Sequence, residues 1–201
     1  MDDGAKLIFH AFPLTPFDVW PAFLKITEDT SRIPNLLAPM ARDISDWRYN
    51  LDGFVVHAAR SDLSRQSYMQ LFRDGGIEAV SGGVLGFDSH HGGFYGLSVE
   101  RAVVGAMTKA QGVWKLLGVT GPVMLGLCLS GVKGWRMLTF PQSWSNETFD
   151  ADPAIIPDAV LNDERTPPEW AVKPILDLAW NGAGWPSSPY FSTGEWEGRH
   201  R

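Results

Sequence analysis

The chain has 201 residues, is 44% hydrophobic and 20% charged, and carries a net charge of −6. That is enough for one domain with a real core, and too apolar for low-complexity disorder despite 14 Pro and 21 Gly. A single cysteine, Cys128, excludes an internal disulfide framework and a Cys-based metal cage, and no apolar run approaches the ~18 residues of a membrane span.

Met1-Asp2-Asp3-Gly4 lacks the basic start and apolar stretch of a secretory signal, so a cytoplasmic protein is expected. Lys6 to Phe12 reads as the first strand, a short apolar run closed by Pro13. Residues 13–46 carry Pro13, Pro16, Pro21, Pro34 and Pro39, a density that prevents a long helix. They are expected to form a wrapping arm pinned by Phe17, Trp20, Phe23, Leu36 and Leu37. Asp52-Gly53 marks a turn before a strand at Phe54–Ala58. Between 67 and 80 the pattern is that of a hairpin. Met69 and Leu71 alternate with Tyr68, Gln70 and Phe72, Asp74-Gly75-Gly76 turns, and Ile77–Val80 returns. Residues 82–96 are a glycine-rich loop with room for a short strand at 84–87.

The long helix is predicted to start with Ser98 as its cap and Glu100 in its first turn. Its apolar positions, from Val99 to Leu117, keep helical spacing until Gly118 stops it. Val119–Leu129 and Lys133–Phe140 read as a second hairpin about Ser130-Gly131, and Ile155–Leu161 as a last strand. Thr166 is expected to cap a helix opening at Pro167-Pro168, kinked or restarted at Pro174 and ended by Asn181-Gly182. The tail, 183–201, is aromatic.

Asp88, His90 and His91 are residue types that suit zinc or iron, but adjacent histidines reach one ion only from a loop, and no third ligand has a recognisable spacing. A glycine-rich exposed loop is the competing reading. Cys128 alternates with Leu127 and Leu129, the pattern of a small buried hydrophobe. As a nucleophile it would need a base beside it, and His10 and His57, both on predicted strands, are the candidates. Gly105 and Gly112 share a helix stripe with Arg101, Thr108 and Lys115. They either admit a second backbone, from this chain or another copy, or are tolerated by a helix held from its apolar side. Trp170, Trp180, Trp185 and Trp196 would cap the core or, if exposed, form a stacking platform.

Charge is uneven. Residues 1–100 hold 8 basic against 13 acidic side chains, 101–149 hold 5 against 1, and 150–201 hold 4 against 9. The basic segment (Arg101, Lys109, Lys115, Lys133, Arg136) is sparse for a duplex-binding face.

Four runs resemble a known family. They are Arg48-Tyr49-Asn50-Leu51-Asp52-Gly53-Phe54; Tyr68-Met69-Gln70-Leu71-Phe72-Arg73-Asp74-Gly75-Gly76-Ile77-Glu78-Ala79-Val80; Gly131-Val132-Lys133-Gly134-Trp135-Arg136-Met137; and Leu176-Asp177-Leu178-Ala179-Trp180-Asn181-Gly182-Ala183-Gly184-Trp185-Pro186. Together, in this order, they are similar to the C-terminal region of bacterial proteins that begin with a schlafen-type, AlbA-like DNA-binding domain. That N-terminal domain has no counterpart in these 201 residues. The resemblance therefore implies a partner domain, in the same or a companion protein, and nucleic acid met only indirectly. It transfers no catalytic, cofactor or metal residue.

The expected architecture is a single α+β domain over 1–201. A mainly antiparallel sheet carries one long amphipathic helix and a C-terminal helix. The expected function is a non-enzymatic accessory domain for regulation, sensing or assembly, with a homodimer possible through the glycine stripe. The alternative is a metal-dependent hydrolase or nuclease using Asp88, His90 and His91.

Overall fold

The computed structural model describes residues 4–14, 32–40, 44, 46–58, 67–139, 146–191 and 194–199. In chain order the elements are β1 (Lys6–Pro13), α1 (Ile33–Leu36), β2 (Asp46–Tyr49), β3 (Gly53–Ala58), β4 (Ser67–Phe72), β5 (Ile77–Ser81), β6 (Gly93–Tyr95), α2 (Gly96–Leu117), β7 (Val123–Ser130), β8 (Arg136–Leu138), β9 (Ala154–Leu161) and α3 (Pro168–Asn181), followed by a 3-10 turn at Glu197–Arg199.

Seven strands form one antiparallel sheet in the order β2-β3-β4-β5-β1-β7-β9. Alternation decides which face is covered. Leu7, Phe9 and Ala11 of β1, Met69 and Leu71 of β4, and Leu125 and Leu129 of β7 are fully buried on one face. The helices lie on that face, α2 against β1 and α3 against β7 and β9. The result is a single α+β domain with one long helix and one C-terminal helix, as the sequence predicts.

The β4–β5 hairpin forms as read, with Met69 paired to Ala79. α2 buries its predicted stripe, from Val99 to Trp114. Its last turn is pinned to the β4–β5 turn, because Trp114 donates Nε1–H to the Gly75 carbonyl at 2.7 Å. Part of the expected arm packs on α2. Ile33, Leu37 and Met40 are buried, Leu36 lies over Gly112, and Lys109 Nζ donates to the Ala38 carbonyl at 2.6 Å. Phe17, Trp20 and Phe23 lie outside the described residues.

Several expectations are corrected. The predicted 133–140 strand does not form a hairpin with its predecessor. Only Arg136–Leu138 is extended, and it pairs in parallel with β6; Phe140 lies outside the described residues. Gly131 and Gly134 both take left-handed φ, +77° and +78°, and these turns carry the chain off the sheet. The vacated edge of β7 is filled by β9. The short strand of the glycine-rich loop is at 93–95, not 84–87. Ser98 is not the cap of α2, which runs directly out of β6 from Gly96. Thr166 does not cap α3; Pro167 holds that position without a side-chain bond. α3 continues through Pro174, which is exposed. β2, four exposed residues paired with β3, has no counterpart in the sequence reading.

Candidate functional site

The sheet face turned away from the helices carries a connected polar group that meets solvent. β1, β5 and β4 are neighbours, so their outward side chains form a row across the sheet. Glu78 stands opposite both His10 and Gln70. Its Oε2 lies 2.6 Å from His10 Nε2, and its Oε1 accepts the Tyr68 hydroxyl at 2.6 Å. The side chains of His10 and Glu78 are 37% and 25% exposed, so the pair meets solvent.

The electrostatics follow from these contacts. The hydrogen bond from His10 holds the Glu78 carboxyl below the usual carboxylate range, against the opposing effect of burial. Burial, and then the bond to Glu78, push the Tyr68 phenol upward. Tyr68 therefore stays a donor. A histidine fixed by a carboxylate at one nitrogen is oriented for proton exchange at the other. The sequence reading placed His10 on a strand but missed Glu78 and Tyr68. The signal was there in the 67–80 hairpin, where Tyr68, Gln70 and Glu78 are the polar positions of its outward face.

Cys128 lies on this same outward face, opposite Ile8, while Leu127 and Leu129 point into the core. It is half-buried rather than a core residue, which corrects the expectation. His10 stands opposite Gly126, which makes it a diagonal neighbour of Cys128. His57 is on β3, with three strands between it and β7. Burial pushes the Cys128 thiol above its ordinary range, and Asp152 adds to that.

Asp88, His90 and His91 form a tight turn. The Asp88 carboxylate accepts the backbone N–H of His90 at 2.9 Å and the Tyr95 hydroxyl at 3.1 Å, and lies 2.8 Å from His91 Nδ1. The bond from His91 is the main cause that pulls the Asp88 carboxyl down to about 2. The His90 and His91 rings stand edge-on to each other, with centroids 6.5 Å apart. Among the described residues no three His, Cys, Asp or Glu side chains converge as a metal ion requires. Asp88 orders the loop with its carboxylate.

A cleft of about 440 Å³ opens at the C-terminal end of α2, lined by Gln111, Trp114, Lys115, Thr120, Glu164 and Arg165 among others. It lies beside the helix, whereas the Glu78 group is on the sheet's other face. The tryptophans divide. Trp180 and Trp196 are buried, Trp185 packs edge-on against Trp180, and Trp170 is half-exposed against Phe191. Of the five cations in the basic segment, two are committed within the chain, Lys109 as above and Arg101 to the Gly198 carbonyl at 2.9 Å. Among the described residues no helix is long and apolar enough to cross a membrane.

No protein-family model, curated protein or solved structure matches this chain.

Proposed function

We propose that this chain is a cytoplasmic, non-enzymatic accessory domain, serving regulation, sensing or assembly, of a schlafen-type, AlbA-like nucleic-acid-binding protein. On this reading the AlbA-like domain, in the same or a companion protein, contacts the nucleic acid. The observation that carries the reading is where six polar residues from three of the four similar runs sit. Asn50 and Gln70 bond to each other at 2.8 Å, and the Asn50 carboxamide also receives the Gly53 N–H at 2.7 Å. Arg73 donates to the Leu51 carbonyl, and Asp74 receives the Gly76 N–H. Asp177 receives the Ser188 N–H, and Asn181 closes α3 by donating to the Trp185 and Pro186 carbonyls. These side chains build turns and caps, which is what a family-wide scaffold needs. The commitment of Arg101 and Lys109 to carbonyls points the same way, because phosphate contacts dominate duplex affinity.

The test is a fluorescence-anisotropy titration of labelled duplexes at ~150 mM salt, with the chain alone and joined to an AlbA-like domain. The chain alone is expected to bind weakly, with strong salt dependence and no sequence preference. Saturable, sequence-selective binding at nanomolar concentration by the chain alone overturns the reading.

A further inference from the structure

β2 is one edge of the seven-stranded sheet, and its four residues are all exposed. Its hydrogen-bond phase follows from the hairpin that joins it to β3. Asn50 and Gly53 exchange both backbone bonds, at 3.0 and 3.3 Å. In an antiparallel pair such positions alternate. Arg48 and Asp46 therefore direct their main-chain groups at β3, while those of Trp47 and Tyr49 face outward from the sheet. The opposite edge, β9, carries an exposed Pro157 and a register irregularity against β7, both devices that discourage further pairing. β2 has neither.

The side chains of β2 divide by face. Trp47 and Tyr49 lie on the covered side, against Phe54 at 5.3 and 5.1 Å between ring centroids, yet remain 48% and 50% exposed. Asp46 and Arg48 lie on the other side, and among the described residues neither forms an ion pair. Acid, aromatic, base is a sequence that complements itself when reversed.

We propose that β2 is a dimer seam, at which two copies of this chain pair antiparallel about a twofold axis through Trp47, making one continuous sheet. Trp47 and the partner's Trp47 exchange both backbone hydrogen bonds, which their outward phase allows. Asp46 then faces the partner's Arg48, and Arg48 faces the partner's Asp46, so two opposite-charge cross-strand pairs form on one face. On the other face the two indoles meet above Phe54 and its copy. In the single chain the Trp47 N–H is held by the Asp46 carboxylate at 2.8 Å. Pairing replaces that bond with a partner carbonyl and releases the carboxylate to a partner guanidinium, so no polar group is stranded. The helix stripe is a poorer seam, because Gly112 is already met by Leu36 at 3.3 Å. The β2 seam is independent of whether the chain serves a nucleic-acid-binding protein. A short strand pair buries little, at or below the ~1,200 Å² of weak complexes, so a Kd on the order of tens of micromolar is expected.

Sedimentation velocity on the full chain, from about 5 µM to about 500 µM, reads the association directly. Asp46→Arg sets arginine against arginine in its homodimer, and Arg48→Asp sets acid against acid. Each is expected to weaken association by about tenfold or more. Mixing the two variants creates two complementary pairs and is expected to restore dimers as heterodimers. Trp47→Thr tests the aromatic contact without touching charge, and is expected to weaken association too. Circular dichroism establishes that each exposed variant is folded. A wild type that stays monomeric across the range overturns the proposal. So does a dimer indifferent to both charge reversals, which would place the interface elsewhere on the chain.

Discussion

Trp180 on α3 donates its indole N–H to Glu100 on α2 at 2.8 Å, and neither residue has any solvent exposure. The same carboxylate receives the Trp196 indole on its other oxygen at 2.8 Å and the Ser188 hydroxyl beside Trp180. One buried acid thus ties both ends of the aromatic tail to the long helix. The sequence alone places Glu100 in the first turn of the helix; because α2 starts at Gly96, Glu100 lies beyond that turn and is buried.

Glu100→Leu strands three buried donors and is expected to cost about 3 kcal/mol or more. Glu100→Gln keeps one acceptor but sets an amide N–H2 against an indole, at about 1–2 kcal/mol. Burial raises the Glu100 carboxyl above its ordinary range, ahead of the three donors that lower it. The folded state therefore binds the proton more tightly than the unfolded chain. This group's contribution is fully present below the ordinary carboxylate range and declines as pH rises through the folded value. Urea unfolding at several pH values, wild type against Glu100→Gln, checks both points. A difference between the two that does not change with pH contradicts the linkage.

Glu78 has the opposite sign. Its carboxyl is lowered by His10, so its contribution is present above the ordinary carboxylate range and is lost as pH falls through the lowered folded value. Because His10 is partly solvated, Glu78→Gln is expected to cost only about 0.5–1 kcal/mol near neutrality. The gap between variant and wild type should close in acid. An unchanged gap at low pH would show that lost packing, not charge, sets the cost.

Two glycines should respond in opposite directions to alanine. Gly53 has φ +148°, and an added Cβ would sit 2.1 Å from the Leu71 carbonyl oxygen. Gly53→Ala is expected to lose about 2 kcal/mol or more at the β2–β3 turn. An added Cβ at Gly105 would meet nothing within 4 Å, and Gly105→Ala should gain up to ~1 kcal/mol from helix propensity. Thermal melts of both variants decide. A destabilised Gly105→Ala would mean that something packs on that stripe in solution.

Cys128 should react slowly. Its half-buried thiol is pushed up mainly by burial, so little thiolate is present near neutral pH. A thiol-reactive disulfide reagent is expected to label native protein at least ~10-fold more slowly than protein in denaturant. Equal rates would place the sulfur in an activating setting, with His10 the first suspect.

What could be read in advance depended on how local the cause was. The β4–β5 hairpin was legible because Asp74-Gly75-Gly76 and the alternation of Met69 and Leu71 lie within one short window. α2 was legible because its stripe repeats over 22 residues. β2 was not, since four exposed residues carry no alternation of burial. The β6–β8 pair was not, since three residues on each side show no period. The polar groups failed for the same reason at longer range. His10 and Glu78 are 68 positions apart, and Glu100 meets Trp196 across 96. The residue types were visible, but their convergence depends on strand order and on the docking of the tail.

The position of β1 bears on assembly. β1, which precedes every other strand of the sheet in chain order, lies inside that sheet, between β5 and β7, and its Phe9 stands opposite Ala79 on one side and Leu127 on the other. β2 to β5 form a meander of neighbouring hairpins whose contacts are local, and such contacts form fastest. β1 is the keystone that joins this meander to the β7–β9 pair, and it reaches its place only after both flanks have been synthesised. A chain lacking Lys6–Pro13 would retain both flanks but leave facing edges of β5 and β7 with no strand between them.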